Sequence, residues 1–331
     1  MALTDLFGRK HDYLRISVTD RCNLRCLYCM GPEGVKQIPQ DQILTYEEIL
    51  EVVRAGAALG ISGVRLTGGE PLVRRGLSHL VRRISRIPGI EEVTMTTNGI
   101  LLPNSAGPLK EAGLRRVNIS IDSLKPAVYR RITRGGKLNR ALAGVKAALE
   151  KGLKPVKVNI VLMKGINHRE VPAFLKLAQE QELHLRFIEY MPIGARRDRH
   201  QKYYLPLAYV QKVAARMGLP LTPAPPVAGA GPAENFSLPG GKGTIGLIHP
   251  ISRHFCGSCN RLRLIAEGYL KCCLYWQEER SVRPALGDSV LMQKLLQEVV
   301  RQKPEKHLMS APCSSASLSP QAMRGMSRIG G

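Results

Sequence analysis

From residue 13 to about 217 the chain alternates short β-rich runs with longer helix-compatible segments. The strand candidates are YLRISVT (13–19), VRLTGG from 64, EVTMTT (92–97), RVNISID (116–122), PVKVNIVLM (155–163) and LHLRFIEYM (183–191). TYEEILEVVRAGAALG (45–60) reads as a helix opened by a capping box, with Thr45 as N-cap and Glu48 three residues on. Strands separated by helices pair in parallel, because neighbours running the same way need a crossover connection. Six such units predict an α/β fold, an incomplete (β/α)6-type TIM-like barrel, with an open doubly wound sheet as the competing topology. The rhythm breaks in the Pro-, Gly- and Ala-rich stretch LPLTPAPPVAGAGPAENFSLPGGKG (219–243). The expected division is a barrel domain over 1–218 and a smaller C-terminal region over 219–331.

Composition narrows the setting. At 331 residues and 44% hydrophobic the chain can bury a large core, and five Phe, ten Tyr and one Trp make that core aliphatic. No run of about 18 apolar residues occurs, so no membrane span is expected. MALTDLFGRKHDY lacks the apolar stretch of a secretory signal, and the predicted location is cytoplasmic. In that reducing compartment clustered cysteines point to metal binding or catalysis, not disulfides. The formal charge of +23 suits an anionic partner or a basic solvated surface. Its spread along the chain marks no nucleic-acid-binding segment.

Parallel α/β folds gather ligands at the carboxyl ends of their strands, and unusual residues cluster there. TDRCNLRCLYCM follows the first strand and sets Cys22, Cys26 and Cys29 in a C-x-x-x-C-x-x-C array. A structural zinc site closes with four ligands, commonly as two pairs. Three thiolates in one loop can instead hold three irons of a [4Fe–4S] cluster and leave the fourth open. A zinc site completed by a remote histidine is the competing reading. TGGEP follows the second strand, where its glycines let a ligand lie against the backbone.

The triplet, Tyr28 directly before its last cysteine, and GGEP after the next strand together resemble the radical S-adenosylmethionine superfamily. The resemblance implies that the open iron chelates S-adenosylmethionine, which on one-electron reduction splits to methionine and a 5′-deoxyadenosyl radical. It also implies cofactor contacts at Tyr28, Gly69, Ser120 and Met191.

A second set lies in HFCGSCNRLRLIAEGYLKCCLY (254–275), where Cys256 and Cys259 form C-x-x-C and Cys272 and Cys273 follow. Alone it would pass for a zinc ribbon. Arg261 and Arg263, at alternate positions of a strand-like run just after it, can face one way. With FGRKHDYLRISVTDRCNLRCLYCM, VRLTGGEPL, TTNG, VNISIDSL, PVKVN, RFIEYMP and the terminal SRIGG, this set resembles one branch of the superfamily. That branch consists of lyases that convert GTP to 3′,8-cyclo-7,8-dihydro-GTP, the first step of molybdenum cofactor biosynthesis. The resemblance implies two [4Fe–4S] clusters, the second held by Cys256, Cys259 and Cys273, with Cys272 as the alternative third ligand. It implies GTP contacts at Arg15, Arg65, Thr96, Lys157, Arg186, Arg261, Leu262 and Arg263, and a tail, Gly330 and Gly331, that enters the active site. Its implied partners are a reductant protein and the downstream cyclic pyranopterin monophosphate synthase, with the oligomeric state, a homodimer included, left open. Arg15, Arg65, Lys157 and Arg186 sit on predicted strands of one sheet, where a charge within an apolar run such as VKVNIVL requires a partner. The alternatives are another two-cluster member acting on peptide or tRNA, and a basic zinc protein that binds nucleic acid. Two features fit no motif. Gly31 intervenes between Met30 and Pro32, where the family usually has Met-Pro, and Cys313 has no assigned role.

Overall fold

The computed structural model describes residues 3–193, 199–227, 231–309 and 324–330. The six expected strands form: β1 (Tyr13–Ser17), β2 (Gly63–Thr67), β3 (Glu92–Thr97), β4 (Leu114–Ser120), β5 (Lys157–Leu162) and β6 (His184–Glu189). They pair in sequence order and in parallel. Between them run α1 (Tyr46–Ala58), α2 (Leu77–Ser85), α3 (Ala106–Glu111), α4 (Pro126–Thr133), α5 (Leu138–Glu150) and α6 (Val171–Glu180). The Thr45–Glu48 capping box opens α1 as expected. Residues 71–73 form a separate 3-10 turn, with Pro71 at its start, and α2 begins only at Leu77.

Beyond α7 (His200–Tyr203) and α8 (Ala208–Arg216), the strands are β7 (Thr222–Pro223), β8 (Glu234–Ser237), β9 (Thr244–Ile248), β10 (Arg261–Leu264), β11 (Tyr269–Lys271) and β12 (Arg280–Ser281). The chain closes with α9 (Ser289–Arg301) and α10 (Met326–Ile329). All twelve strands belong to one sheet, ordered β12-β11-β10-β1-β2-β3-β4-β5-β6-β9-β8-β7. β10 adds parallel to the outer edge of β1, and β9 adds parallel to the outer edge of β6. The sheet therefore stays open, an incomplete barrel whose two edges are both extended by residues from 219–331.

Side-chain alternation decides which face of this sheet does what. Leu14, Ile16, Val64, Leu66, Val93, Met95, Val158, Ile160, Leu185 and Phe187 are essentially inaccessible and join the helices in one aliphatic core. Residues of the other parity face inward, and they are mostly polar: Arg15, Arg65, Thr94, Thr96, Asn118, Lys157, Asn159, Arg186 and Arg263, with Ile188 an apolar exception. Barrels of this type usually fill that interior with branched apolar side chains. Here the interior is left to charge.

Gly144 of α5 faces the turn after β3, where Gly99 adopts φ +80°. A Cβ on Gly144 would stand 2.2 Å from the Gly99 carbonyl oxygen. Gly144→Ala gains up to about 1 kcal/mol of helix propensity, but overpacking against fixed backbone costs roughly 1–3 kcal/mol. The expected outcome is net destabilisation, seen as a lower midpoint in thermal unfolding; an unchanged or raised midpoint would show that the helix can back away.

Candidate active site

The inner face encloses a cavity of about 510 Å³, lined by Arg15, Arg65, Thr96, Asn118, Asn159, Arg186, Met191, Arg261 and Arg263 among others. Register brings these residues to one place. Arg15 lies opposite both Arg65 on β2 and Arg263 on β10, while Asn118 pairs with Thr96 on β3 and Lys157 on β5. Asn159 pairs with Arg186 on β6 and its side-chain oxygen accepts from Arg186 Nε at 2.9 Å and Nη2 at 2.6 Å. Arg65 Nε donates to Thr94 Oγ1 at 3.1 Å and its guanidinium lies over the Tyr13 ring. With its amide oriented to satisfy both neighbours, Asn118 accepts from Arg65 and Arg186.

Six cations thus converge with few carboxylates to answer them. Burial, then the nearness of another arginine, lowers the affinity of Arg15, Arg186 and Arg263 for their protons. Arg186 falls to about 9 and Arg263 to about 10. Burial, followed by repulsion from Arg186, Arg116 and Arg65, pushes Lys157 down to about 6. Glu92, the carboxylate near Lys157, is already engaged by Arg116. Thr96 Oγ1 is buried with no hydrogen-bond partner. Such an interior is costly empty and suits a polyanion that brings both charge and acceptors.

The first cysteine triplet caps the carboxyl end of β1. Its loop is fastened to the end of α4 by Arg25 N–H to Thr133 O and Leu27 N–H to Ile132 O. Arg134, at φ +53°, donates to the carbonyls of Arg25 and Met30. Gly69 lies against the same loop: a Cβ there would fall 2.4 Å from Arg21 O. Burial raises the thiol pKa of Cys22 to about 11 and of Cys29 to about 12, and neighbouring Cys22 acts on Cys29 in the same direction. Cys26 is raised too, by burial and then by Asp122, Cys29 and Cys22. Tyr28 OH donates to Asp122 Oδ2 at 2.9 Å. Glu70 of GGEP accepts from Leu72 N, Thr97 Oγ1 and Asn98 N, joining the ends of β2 and β3. Three buried thiols whose pKa is raised need a positive centre between them before they can ionise together, which cluster irons supply. Among the described residues no such side chains close on one point as ligands of a single ion do.

The second set lies at the opposite end. Arg261, the first residue of β10, pairs with Tyr13, the first residue of β1, so Cys256 and Cys259 sit at the strands' amino ends. Cys256, Cys259 and Cys273 are half-buried and in electrostatic reach of one another, whereas Cys272 is buried in the aliphatic core. Burial would raise the Cys259 thiol, but Arg261 and Lys303 outweigh it and bring it to about 7. The rule that ligands collect at carboxyl ends places the first set and misses the second. The two sets bracket the cavity from both mouths.

The tail enters the same interior. Arg324 is held by Glu267 and Glu279, and Ser327 is buried against Cys29. Arg263 Nη1 donates to Gly330 O at 3.0 Å. Gly330 has φ +67° and no room for a side chain, since a Cβ would meet Thr67 Cγ2 at 2.5 Å. Gly331 and Cys313 lie outside the described residues.

Known proteins match this architecture. A family model described as Radical SAM superfamily covers residues 16–178, and one described as Molybdenum Cofactor Synthesis C covers 183–309. A GTP 3′,8-cyclase of Listeria monocytogenes is 47% identical over 330 residues, 99% of both chains. The chain belongs to the GTP 3′,8-cyclase family. Family members from Petrotoga mobilis (48% identical, 94% of each chain) and Moorella thermoacetica (46%, 99% of this chain and 100% of that one) agree. The structure of Streptococcus suis SuiB bound to its precursor peptide SuiA shares the fold, with a TM-score of 0.60 at 15% identity. It is matched over 89% of this chain, which spans 65% of the length of SuiB.

Most residues expected from the family resemblance meet at the cavity. Lys157 adjoins it through Arg186 and Arg65 without lining it, Tyr28 and Gly69 belong to the first cysteine loop and its packing, and Ser120 ends β4 opposite Asn159. Leu262 is different: its side chain is buried on the helix side, so only its main chain can border the cavity. Sequence reasoning missed Asn118, Asn159 and Asn260 as lining residues. Stepping two positions from Lys157 along its strand reaches Asn159, whereas Asn118 comes to the cavity through its register opposite Lys157.

Lys157 makes a pH test. Between about pH 6 and its ordinary 10.5, the folded chain binds fewer protons here than the unfolded chain, so this residue makes stability rise with pH. Lys157→Met should therefore raise the unfolding midpoint of ligand-free protein most at pH 6 and progressively less toward pH 9. A difference independent of pH would contradict the assignment.

Proposed function

We propose that the chain converts GTP to 3′,8-cyclo-7,8-dihydro-GTP as the first step of molybdenum cofactor biosynthesis, using two [4Fe–4S] clusters and S-adenosylmethionine. The observation that carries this reading is a cationic cavity bracketed by two cysteine triplets at opposite ends of the parallel pair β1 and β10. Cys22, Cys26 and Cys29 would hold the first cluster in the barrel of residues 1–218, and Cys256, Cys259 and Cys273 the second in 219–331. When bound and reduced, the first cluster with S-adenosylmethionine supplies the deoxyadenosyl radical that takes the ribose 3′ hydrogen.

The protein binds, orients and shields. The triphosphate carries about four negative charges, and Arg15, Arg65, Lys157, Arg186, Arg261 and Arg263 answer them, the arginines as planar forks and Lys157 as a point charge. Thr96 offers its unused hydroxyl, and the Leu262 main chain lies between Arg261 and Arg263. Tyr28, Gly69, Ser120 and Met191 border the S-adenosylmethionine site. Gly330 closes the interior from the tail. Holding both substrates in one enclosed lumen aligns the ribose with the radical source and keeps water out. In this reading the enzyme is cytoplasmic, takes electrons from a reductant protein, passes product to cyclic pyranopterin monophosphate synthase, and can act as a homodimer. Among the described residues no helix is long and apolar enough to cross a membrane.

Anaerobically reconstituted protein should bind about eight irons, four per cluster. With a reductant and S-adenosylmethionine it should release 5′-deoxyadenosine and cyclised product from GTP and not from ATP, CTP or UTP. Full iron content without turnover of GTP would refute the reading. Arg261→Ala removes charged hydrogen bonds worth about 1.5–3 kcal/mol, so KM for GTP should rise by roughly 10- to 150-fold at unchanged iron content.

A further inference from the structure

Lys303, just after α9, is only 3% exposed, and its ammonium points at the second cysteine set. Nζ lies 3.0 Å from Cys259 O, 3.3 Å from Cys259 Sγ, 3.0 Å from Arg261 O and 3.4 Å from His11 Nδ1. The histidine's other nitrogen, Nε2, lies 3.0 Å from Asp5 Oδ2. A proton on Nε2 directed at Asp5 leaves Nδ1 free to accept from the ammonium. Asp5 is also engaged by Arg9, whose Nε lies 2.5 Å from Oδ2. Arg9 in turn donates through Nη1 to Cys256 O at 2.9 Å and Glu305 O at 2.8 Å, and through Nη2 to Pro304 O at 2.7 Å.

Two buried cations thus clamp both ends of the C-x-x-C loop, Arg9 at Cys256 and Lys303 at Cys259. Their charges are not equally answered. Asp5 balances Arg9. Among the described residues no carboxylate stands within ion-pair distance of Lys303. A buried ammonium surrounded by carbonyls alone is costly. The anion within its reach is the sulfur of Cys259, once that sulfur is a thiolate ligand.

We infer that Lys303 is a positioning residue for the second cluster, giving the Cys259 ligand sulfur a charged hydrogen bond that fixes its loop and eases reduction of the cluster. The inference rests on the reading that Cys256, Cys259 and Cys273 hold that cluster. Reduction adds negative charge to the cluster, and hydrogen bonds to cluster sulfurs set its potential. Lys303 therefore favours the reduced state.

The test uses reconstituted full-length wild type, Lys303→Met and Lys303→Arg, titrated electrochemically and followed by electron paramagnetic resonance. The first cluster serves as internal standard. Lys303→Met should move the second cluster's reduced-to-oxidised ratio about tenfold toward oxidised at a given potential, which is 59 mV for one electron. Lys303→Arg should stay within about threefold of wild type, and the first cluster should not move. A purely structural lysine would leave the potential of any assembled cluster unchanged. Wild type labelled with nitrogen-15 lysine should also show a lysine nitrogen coupled to the second cluster in pulsed spectra, a readout that survives even if Lys303→Met does not fold. A wild-type potential in Lys303→Met with all irons in place, or no such coupling in labelled wild type, overturns the proposal. Failure of wild type to take up iron at the second set overturns the cluster reading itself, and the two failures are told apart by iron content.

Discussion

Like charges held together inside a sheet are the constraint that organises this molecule. Arg15, Arg65, Arg186, Arg263 and Lys157 occupy alternate positions on five strands, and the register of parallel pairing forces them to face one another. Nothing in their mutual interaction favours that arrangement. It is maintained by the opposite parity, in which Leu14, Ile16, Leu66, Leu185 and Phe187 lock the same strands to the helices. At roughly 25 cal/mol per Å² of apolar surface removed from water, the aliphatic face stabilises a backbone whose polar face is strained by repulsion. The neutral amides Asn118 and Asn159 soften that repulsion by accepting from the guanidiniums between which they lie.

The same scaffold separates two metal-binding loops along its axis. One follows β1 and the other precedes β10, and these strands are direct neighbours in parallel register. Their separation is thus about one strand length, with the charged lumen between. The tail reaches that lumen at the carboxyl ends of β1 and β2, where Gly330 lies against Ser17 and Thr67, and Arg263 donates to Gly330 while its strand neighbour Arg15 faces the same interior. A substrate bound here would touch residues from both ends of the chain.

Much of this was legible beforehand, for identifiable reasons. The six strands and their parallel pairing followed from six hydrophobic runs split by helices, and the sequential order was one of the two topologies that the crossover rule left open. The cysteine spacings spoke for themselves because thiolate loops are local. What sequence did not reveal depends on contacts between distant segments. That β9 and β10 would join opposite edges could not be read from runs as short as TIGLI and RLRL. Lys303 sits in an ordinary polar stretch, RQKPEK, and only the fold brings it to Cys259 and His11. Leu262 falls between two inward arginines, and strand alternation turns its side chain away from them.

The open sheet has a bearing on biogenesis. β1 through β6 emerge from the ribosome before either β9 or β10, so both rims of the nascent six-stranded array present unpaired main-chain groups while the last third is still being made. Exposed rims of this kind recruit other strands. Covering both with segments from a single late stretch of chain means that translation must run nearly to completion before the barrel is protected, and a truncated product would be a candidate for aggregation or proteolysis, not a smaller stable enzyme.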